Sequence, residues 1–397
     1  MVDPRFFVWQ DEGWSGIPLE QYIIYELHVG TFGYYFTDKD HTPWGPAMNF
    51  DGPDSDRVRE FFITNALYWI DEFHMDSLRL DAVDWILNQR AQHFLQQIVV
   101  EVHCYRVRRG RQVYLFAEND TNDARLINPV QYGGYGMDAQ WCDNFHRALG
   151  ATLTGETTGY YEDFGQFSQI VKAYSDGFVY TGDYSTYRKR CHGGPVGERP
   201  TSQFVVFCQN HDQVGNRKCG DRLSAVQSLG KLLLAAGLVL LPYLPLLFMG
   251  EEYGEKAPFH YFVGYTDPDL IEAVRKGKHE EHASGVCEGE LPDPEAVSSF
   301  LESKIDLRQQ REGDQVLILA FYRQLLSLHK RLPAMQVFNR LQMEVTGLVP
   351  QKVMIFRRQA QNSAVVCIFS FSNTQEPATL NLPKGTWEKL LDSSTQH

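Results

Sequence analysis

What this 397-residue chain lacks narrows its possible functions before any motif is read. No apolar run is long and unbroken enough to span a bilayer. Residues 232–249 come nearest, and Gly237, Pro242 and Pro245 interrupt them, which fits a helix, a turn and a buried strand instead. The start, Met1-Val2-Asp3-Pro4-Arg5, is not a basic segment leading into an apolar one, so no secretory signal is expected and a cytoplasmic location is. Cysteine is sparse and unpatterned. The seven residues, Cys104, Cys142, Cys191, Cys208, Cys219, Cys287 and Cys367, are odd in number and show no Cys-x-x-Cys or other metal-ligating spacing. Scattered, reduced thiols are the expectation. Positive charge is short as well: 37 Lys and Arg against 50 Asp and Glu leave a net charge of -13. That balance argues against nucleic acid or an anionic membrane surface as partner and is indifferent to a neutral one. There is no internal repeat and no low-complexity run.

What is present is ordinary in bulk, with 43% hydrophobic and 22% charged residues. The length allows two or three domains, or one barrel with an appendage. Aromatic residues, at 13%, are abundant; such rings serve as sugar-stacking platforms or as core filling, and composition leaves both open.

Residues 1–20 carry Trp9, Trp14 and Pro18 without a clear period and read as an extended lead-in. Residues 22–32, β-branched and aromatic, form the first convincing strand. A loop rich in Gly, Pro and aromatics follows over 33–53. Asp54 or Ser55 can then cap a helix in which Val58, Phe61, Phe62, Ala66, Trp69, Ile70 and Phe73 recur at helical spacing. Further strands at 78–83, 113–117, 138–141, 204–208 and 246–249 alternate with helices near 92–104 and 223–239, the pattern of a parallel sheet or barrel with covering helices. The last helical period ends near Arg331. Beyond Pro350, short strands at 353–358, 364–371, 378–382 and 387–391 predict a small antiparallel β domain. Residues 272–295 are charged, show no period, and read as a surface excursion.

The strand at 78–83, Leu-Arg-Leu-Asp-Ala-Val, organises the rest. Alternate residues of a strand face opposite ways, so Leu78, Leu80 and Ala82 share one side, while Arg79, Asp81 and Val83 share the other. If the apolar side packs on helices, Arg79 and Asp81 project into the interior of a sheet or barrel. There the guanidinium would keep the carboxylate ionised, either as a nucleophile or as half of a structural ion pair. Other strands run into acids in the same manner: 113–117 into Glu118, 204–208 into Gln209-Asn210-His211-Asp212, and 246–249 into Glu251 and Glu252. The carboxyl ends of parallel barrel strands converge on one mouth, so these acids should meet. Clustered acids without thiolates suit glycoside hydrolysis, in which one carboxylate attacks the anomeric carbon and a second, kept protonated by burial, protonates the leaving oxygen. Asp81 beside Arg79 suits the first role, Glu118 after an apolar run suits the second, and Asp212 beside His211 could hold substrate hydroxyls. A divalent-metal site of carboxylates is the rival chemistry.

Leu78-Arg79-Leu80-Asp81-Ala82-Val83, Phe116-Ala117-Glu118 and Asn210-His211-Asp212 resemble the second, third and fourth sequence regions of the α-amylase superfamily. Longer stretches, 34–53, 118–126, 133–141, 209–217 and 248–253 with Pro258-Phe259, resemble its malto-oligosyltrehalose trehalohydrolase family, and the likeness extends over nearly the whole chain. The resemblance implies a (β/α)8 barrel of the TIM type over 21–335, a remnant of an N-terminal domain over 1–20, and a C-terminal β domain over 336–397. It implies Asp81 as nucleophile, Glu118 as general acid/base and Asp212 as transition-state stabiliser. Arg79, His211, Asn210, Trp85, Asn119, Asp120 and Trp141 would bind the substrate, with no metal or organic cofactor. The implied reaction is retaining hydrolysis of the α-1,4 bond next to the terminal trehalose of malto-oligosyltrehalose. Two alternatives stand beside it: another α-amylase-type enzyme such as a branching enzyme, or a catalytically impaired glucan-binding remnant using Trp44, Trp85, Trp141 and the C-terminal domain. The resemblance also implies about a hundred further residues between Phe32 and Gly33, carrying barrel strands two and three. Ser77 stands where the family has Gly. The expected fold is therefore α/β, a barrel of about six strands with unpaired edges.

Overall fold

The computed structural model describes residues 24–26, 36–281, 291–360, 362–374, 377, 379 and 382–395. In chain order it runs through β1 (Ile24–Glu26), β2 (Phe36–Thr42), β3 (Gly45–Met48), α1 (Ser55–Glu72), β4 (Ser77–Leu80), α2 (Phe94–Arg109), β5 (Tyr114–Ala117) and β6 (Ala139–Trp141). Then come α3 (Asp143–Thr154), α4 (Phe167–Asp176), β7 (Tyr184–Ser185), β8 (Arg190–Cys191), β9 (Phe204–Val206), α5 (His211–Gly215), α6 (Leu223–Val226), α7 (Leu229–Leu240) and β10 (Leu244–Phe248). The chain ends with α8 (Pro268–Glu281), α9 (Val297–Glu302), α10 (Gly313–Arg331), β11 (Met343–Leu348), β12 (Val353–Ala360) and β13 (Ser363–Ser370).

Six strands make one parallel sheet in the order β1-β10-β9-β6-β5-β4. The first described strand pairs with the last of the series, as in a closing barrel, and the described strands leave an opening between β1 and β4. That is the six-strand, incomplete barrel expected from the sequence. The alternation along each strand sorts side chains to two cores. On the concave side Tyr114, Phe116, Ala139, Trp141, Val205, Phe207, Leu244 and Leu246 form an inner cluster. On the convex side Leu115, Ala117, Phe204 and Val206 join the helices in the main core, and Leu78 and Leu80 pack against it. Leu78 and Leu80 thus face the helices while Arg79 faces inward, as alternation predicts.

The helices follow their signals with small departures. α1 starts after Asp54, whose backbone is left-handed and whose side chain makes no capping bond. Arg106, Arg108 and Arg109 crowd the last turn of α2, where the helix dipole is negative, and Gly110 at φ 64 ends it. A three-stranded antiparallel sheet, β11-β12-β13, packs on the barrel helices. Tyr174 of α4 meets Phe356 and Phe369 edge-on at centroid distances of 5.3 and 5.7 Å.

Several expectations need correction. β11 lay in a stretch not anticipated as a strand, because Gly347 and the alternating polar residues weaken its β signal; pairing along β12 supplies what local preference does not. Residues 387–391 are not assigned as a strand: Trp387 and Leu390 are exposed, and among the described residues no ladder partner pairs with them. Part of the expected strand at 378–382 lies outside the described residues. Part of the charged stretch at 272–295 is helical, in α8, with the carboxylate of Asp267 accepting the N–H of Asp269 at its start. Cys104, Cys142, Cys191, Cys208 and Cys367 are free thiols, but Cys219 is disulfide-bonded, against the expectation of reduced thiols throughout. Cys287 lies outside the described residues. Among the described residues no helix is long and apolar enough to cross a membrane.

Candidate active site

Two neighbouring strand ends build the centre of the site. The β4–β5 register pairs Leu80 with Ala117, so the next residues, Asp81 and Glu118, emerge side by side. The ladder continues one step beyond the strands: Glu118 N–H donates to Leu80 O at 2.9 Å and Val83 N–H to Glu118 O at 3.0 Å. The carboxyl joins in as well, for Glu118 Oε2 accepts the Ala82 N–H at 2.6 Å. Ala82 adopts a left-handed backbone, φ 44 and ψ 47. That conformation costs a residue with a Cβ about 1 kcal/mol or more. The bond to Glu118 helps hold this turn directly after Asp81.

Arg79 ties the two acids together. Its Nη1 lies 2.8 Å from Asp81 Oδ1 and its Nη2 3.7 Å from Glu118 Oε2. Asp81 is largely exposed at the mouth, its side chain 75% accessible, whereas Glu118 is mostly buried. The guanidinium carbon of Arg79 stands 4.2 Å over the Trp141 ring. β5 lies between β4 and β6, so this contact requires the sheet to curl, and it packs the cation against the negative face of the indole. Burial pushes the Glu118 carboxyl up from the ordinary glutamate range to about 7, against the pull of Arg79 and the Ala82 N–H; the charges of Asp81 and Asp212 add to the rise. Asp81 and Asp212 therefore both lie within electrostatic reach of Glu118.

Asp212 comes from the β9 side. Asn210 caps the short α5, its side chain accepting the Gln213 N–H at 2.8 Å, and His211 Nε2 lies 3.5 Å from Asp212 Oδ1. Gln213 Nε2 donates to Asp143 Oδ1 at 2.6 Å, and Arg147 Nε pairs with Asp143 Oδ2 at 2.6 Å. Burial raises the Asp143 carboxyl to about 6, with Arg147 opposing. The same Arg147 reaches Asp120 at 3.1 Å, where Arg188 also binds. An ion-pair network thus runs from behind Asp212 to the loop after Glu118.

The other predicted substrate contacts divide into exposed and buried groups. Trp85 is exposed near Asp81 and meets the more exposed Trp44 edge-on, with ring centroids 6.1 Å apart. Trp141 is buried beneath Arg79 and beside Phe207. Asn119 is buried, donating to Gln140 at 3.2 Å and accepting from Thr121. Asn210 is buried at its cap, and Asp120 is held by two arginines. Sequence reasoning missed Asp143, Arg147 and Arg188. The i,i+4 spacing of Asp143 and Arg147 on one helix offered a signal; Arg188, 68 residues from Asp120, offered none. Among the described residues no three His, Cys, Asp or Glu gather in a metal-ligating group.

A curled parallel sheet with helices outside, and acids at the carboxyl ends of its strands, is the arrangement of a (β/α)8-type enzyme, and the solved structure it superposes on is of the α-amylase superfamily. A crystal structure of an alpha-amylase candidate from Salmonella typhimurium superposes with a TM-score of 0.85 at 28% identity, over 98% of this chain and 82% of that one. Curated sequences narrow the assignment. A malto-oligosyltrehalose trehalohydrolase of Saccharolobus solfataricus is 45% identical over 316 residues, 78% of this chain and 53% of that protein. One of Arthrobacter ramosus is 41% identical over 327 residues, 80% of this chain and 57% of that protein. No family profile matches. The chain is similar to malto-oligosyltrehalose trehalohydrolases, and it spans about half the length of the curated relatives it matches.

Proposed function

We propose that this chain cleaves the α-1,4 bond next to the terminal trehalose of malto-oligosyltrehalose with retention of configuration, and that it does so in the cytoplasm. One observation carries the reading: on adjacent strand ends, Asp81 stands ion-paired with Arg79 while Glu118 is buried and holds a proton up to about neutral pH. A carboxyl beside a guanidinium, next to a buried carboxyl that keeps its proton, is an arrangement a retaining glycosidase can use. Asp81 Oδ attacks the anomeric carbon as Glu118 protonates the departing oxygen, giving a glycosyl ester. Glu118, now a carboxylate, draws a proton from water, which attacks the same carbon and frees Asp81. Asp212 and His211 hold hydroxyls of the ring as positive charge develops on it. The domain limits that go with this reading are a catalytic barrel over 21–335 and a β domain over 336–397, after a lead-in over 1–20.

The names of the relatives support the substrate. The test is incubation of the purified chain with maltotriosyltrehalose. Trehalose should be released, and Asp81→Asn should lower the rate on the order of 10³-fold or more. Absence of release from the unmodified chain would overturn the reading. The outer edges of β4 and β1, unpaired among the described strands, favour one other reading, glucan binding without turnover. It predicts retention of the chain on immobilised maltodextrin with no trehalose formed.

A further inference from the structure

We propose that Asp163 is a positioning residue that latches the hairpin of residues 184–191 beside the catalytic end of the sheet, so that Arg188 is delivered to Asp120. The hairpin cannot hold itself. β7 and β8 have two residues each, paired Tyr184 with Cys191 and Ser185 with Arg190, and a two-stranded ribbon of that length is unstable alone. Its turn also contains Lys189 at φ 53, a left-handed conformation that disfavours a residue with a side chain.

Asp163 supplies the missing hold. One carboxylate accepts the N–H of Thr186 and the N–H of Tyr187, each at 3.0 Å, and also the hydroxyls of Ser185 and Thr186. Ser185 is fully buried, and its Oγ in turn accepts the Arg188 N–H at 3.0 Å, which fixes the turn from within. Burial opposes the charge on Asp163, yet the hydroxyls of Ser185, Thr186 and Tyr180 and the Tyr187 N–H outweigh it and hold the carboxyl below the usual aspartate range. Four donors converging on an ionised acceptor are among the stronger hydrogen-bonding arrangements a loop can have.

The pinned turn aims at the site. Arg188 binds Asp120, two residues beyond Glu118, on the oxygen that Arg147 also contacts. The charges of Arg188, Asp120 and Asp81 all reach Asp84, on the turn that follows Asp81. Arg188 and Asp120 also act on Asp143, which holds Gln213 next to Asp212. The latched hairpin therefore braces one wall of the cleft between the Asp81 side and the Asp212 side. The catalytic part of this inference rests on the proposed hydrolysis; the latch itself does not.

The experiment is limited trypsin digestion, because Arg188, Lys189 and Arg190 place three cleavage sites in the hairpin. The unmodified chain should resist cut there, and Asp163→Ala should be cut about tenfold faster or more, as expected when local opening becomes easier. Asp163→Asn and Thr186→Val, which keep most of the packing, should fall between. Equal rates of cleavage at these sites in all variants would overturn the latch. On maltotriosyltrehalose, Asp163→Asn should raise KM about tenfold with kcat within about threefold; loss of folded protein alone would lower kcat and leave KM unmoved. Faster cleavage with an unchanged KM would overturn the link to the cleft. If the unmodified chain turns over no substrate, the digestion still decides the latch, and the failure belongs to the proposed function.

Discussion

Glu118 Oε2 accepts the backbone N–H of Ala82, the residue directly after Asp81, at 2.6 Å. The group cast as proton donor therefore also shapes the turn that presents the nucleophile. Because Oε2 is occupied by that N–H and faces Arg79 at 3.7 Å, the proton of the neutral acid belongs on Oε1. Proton transfer and nucleophile placement share one side chain, so substitutions here should affect both.

The first prediction concerns pH and rate. A general acid must be protonated to act, and burial lifts Glu118 to about 7. The rate of the first step should hold steady below that value and fall about tenfold per pH unit above it. Glu118→Gln should be slow at all pH values and lack this alkaline limb. Pre-steady-state measurement of leaving-group release across pH checks it; an alkaline limb that persists in the variant would assign the titration elsewhere.

Trp141 provides the second. With its ring 4.2 Å beneath the Arg79 guanidinium and itself buried, it is placed to support a cation rather than a sugar. Trp141→Leu should cost roughly 3 kcal/mol of stability through lost packing. It should also lower kcat by about tenfold as Arg79 loses an interaction worth ~1 kcal/mol or more. Trp141→Phe keeps an aromatic face and should recover most of kcat. Urea unfolding and steady-state kinetics separate the two effects. A rise in KM alone would make Trp141 a substrate platform after all.

These two cases mark what the sequence made legible. Alternation along 78–83 was enough to place Arg79 and Asp81 on one face and Leu78 and Leu80 on the other, because strand geometry has a fixed period. Acids at successive strand ends led to the expectation that Asp81, Glu118 and Asp212 share one end of the sheet, because parallel strands share a carboxyl end. The six-strand count was readable from the alternation of strands and helices, whereas the opening rested on the resemblance to a family with a longer chain. What tertiary contacts decide was not readable. Trp141 could have faced a sugar or an arginine, and only the curl of the sheet brings it under Arg79 from two strands away. Asp163 and Arg188 gave no local signal, since their partners are 22 and 68 residues distant. β11 escaped notice because pairing with β12 overrides its own weak preference.

The third prediction concerns pH and stability. Burial raises Glu251 to about 7; the Cys208 thiol, the Tyr322 hydroxyl and the Phe248 N–H, all donors to it, work against that rise. A carboxyl raised in the folded state binds its proton more tightly than in the unfolded chain, where the ordinary value is 4.5. Its contribution is complete below about pH 4.5 and is lost as pH rises through about 7. Asp143, raised to about 6, has the same sign over a lower window. Unfolding free energy should therefore fall between about pH 4.5 and pH 7, by up to about 3 kcal/mol from Glu251, and level off above that. Glu251→Gln should flatten that slope while lowering stability by about 1 kcal/mol overall. Chemical unfolding at several pH values checks it, and an unchanged slope in the variant would remove Glu251 as the cause.

The last prediction tests the loop that leads into β6 and hence to Trp141. In Gly133-Gly134-Tyr135-Gly136 the first two glycines have different reasons to be there. Gly133 sits at φ 77 with open space where a Cβ would go, so Gly133→Ala pays only for the left-handed backbone, about 1 kcal/mol. Gly134 is crowded: a Cβ there would fall 2.0 Å from Asn128 O and 2.5 Å from Asn128 C. Those are backbone atoms, and they cannot step aside. The Gly136 N–H donates to Asn128 O at 3.0 Å, the Tyr135 N–H to Arg125 O at 2.8 Å and the Met137 N–H to Leu126 O at 2.9 Å, so moving Asn128 strains a whole strip of the loop. The Tyr135 ring stacked on His93 at 4.4 Å would shift with it. Gly134→Ala should cost about 3 kcal/mol or more. Urea unfolding of the two variants side by side decides the matter: if Gly134→Ala is no worse than Gly133→Ala, close approach to Asn128 is not what requires glycine here.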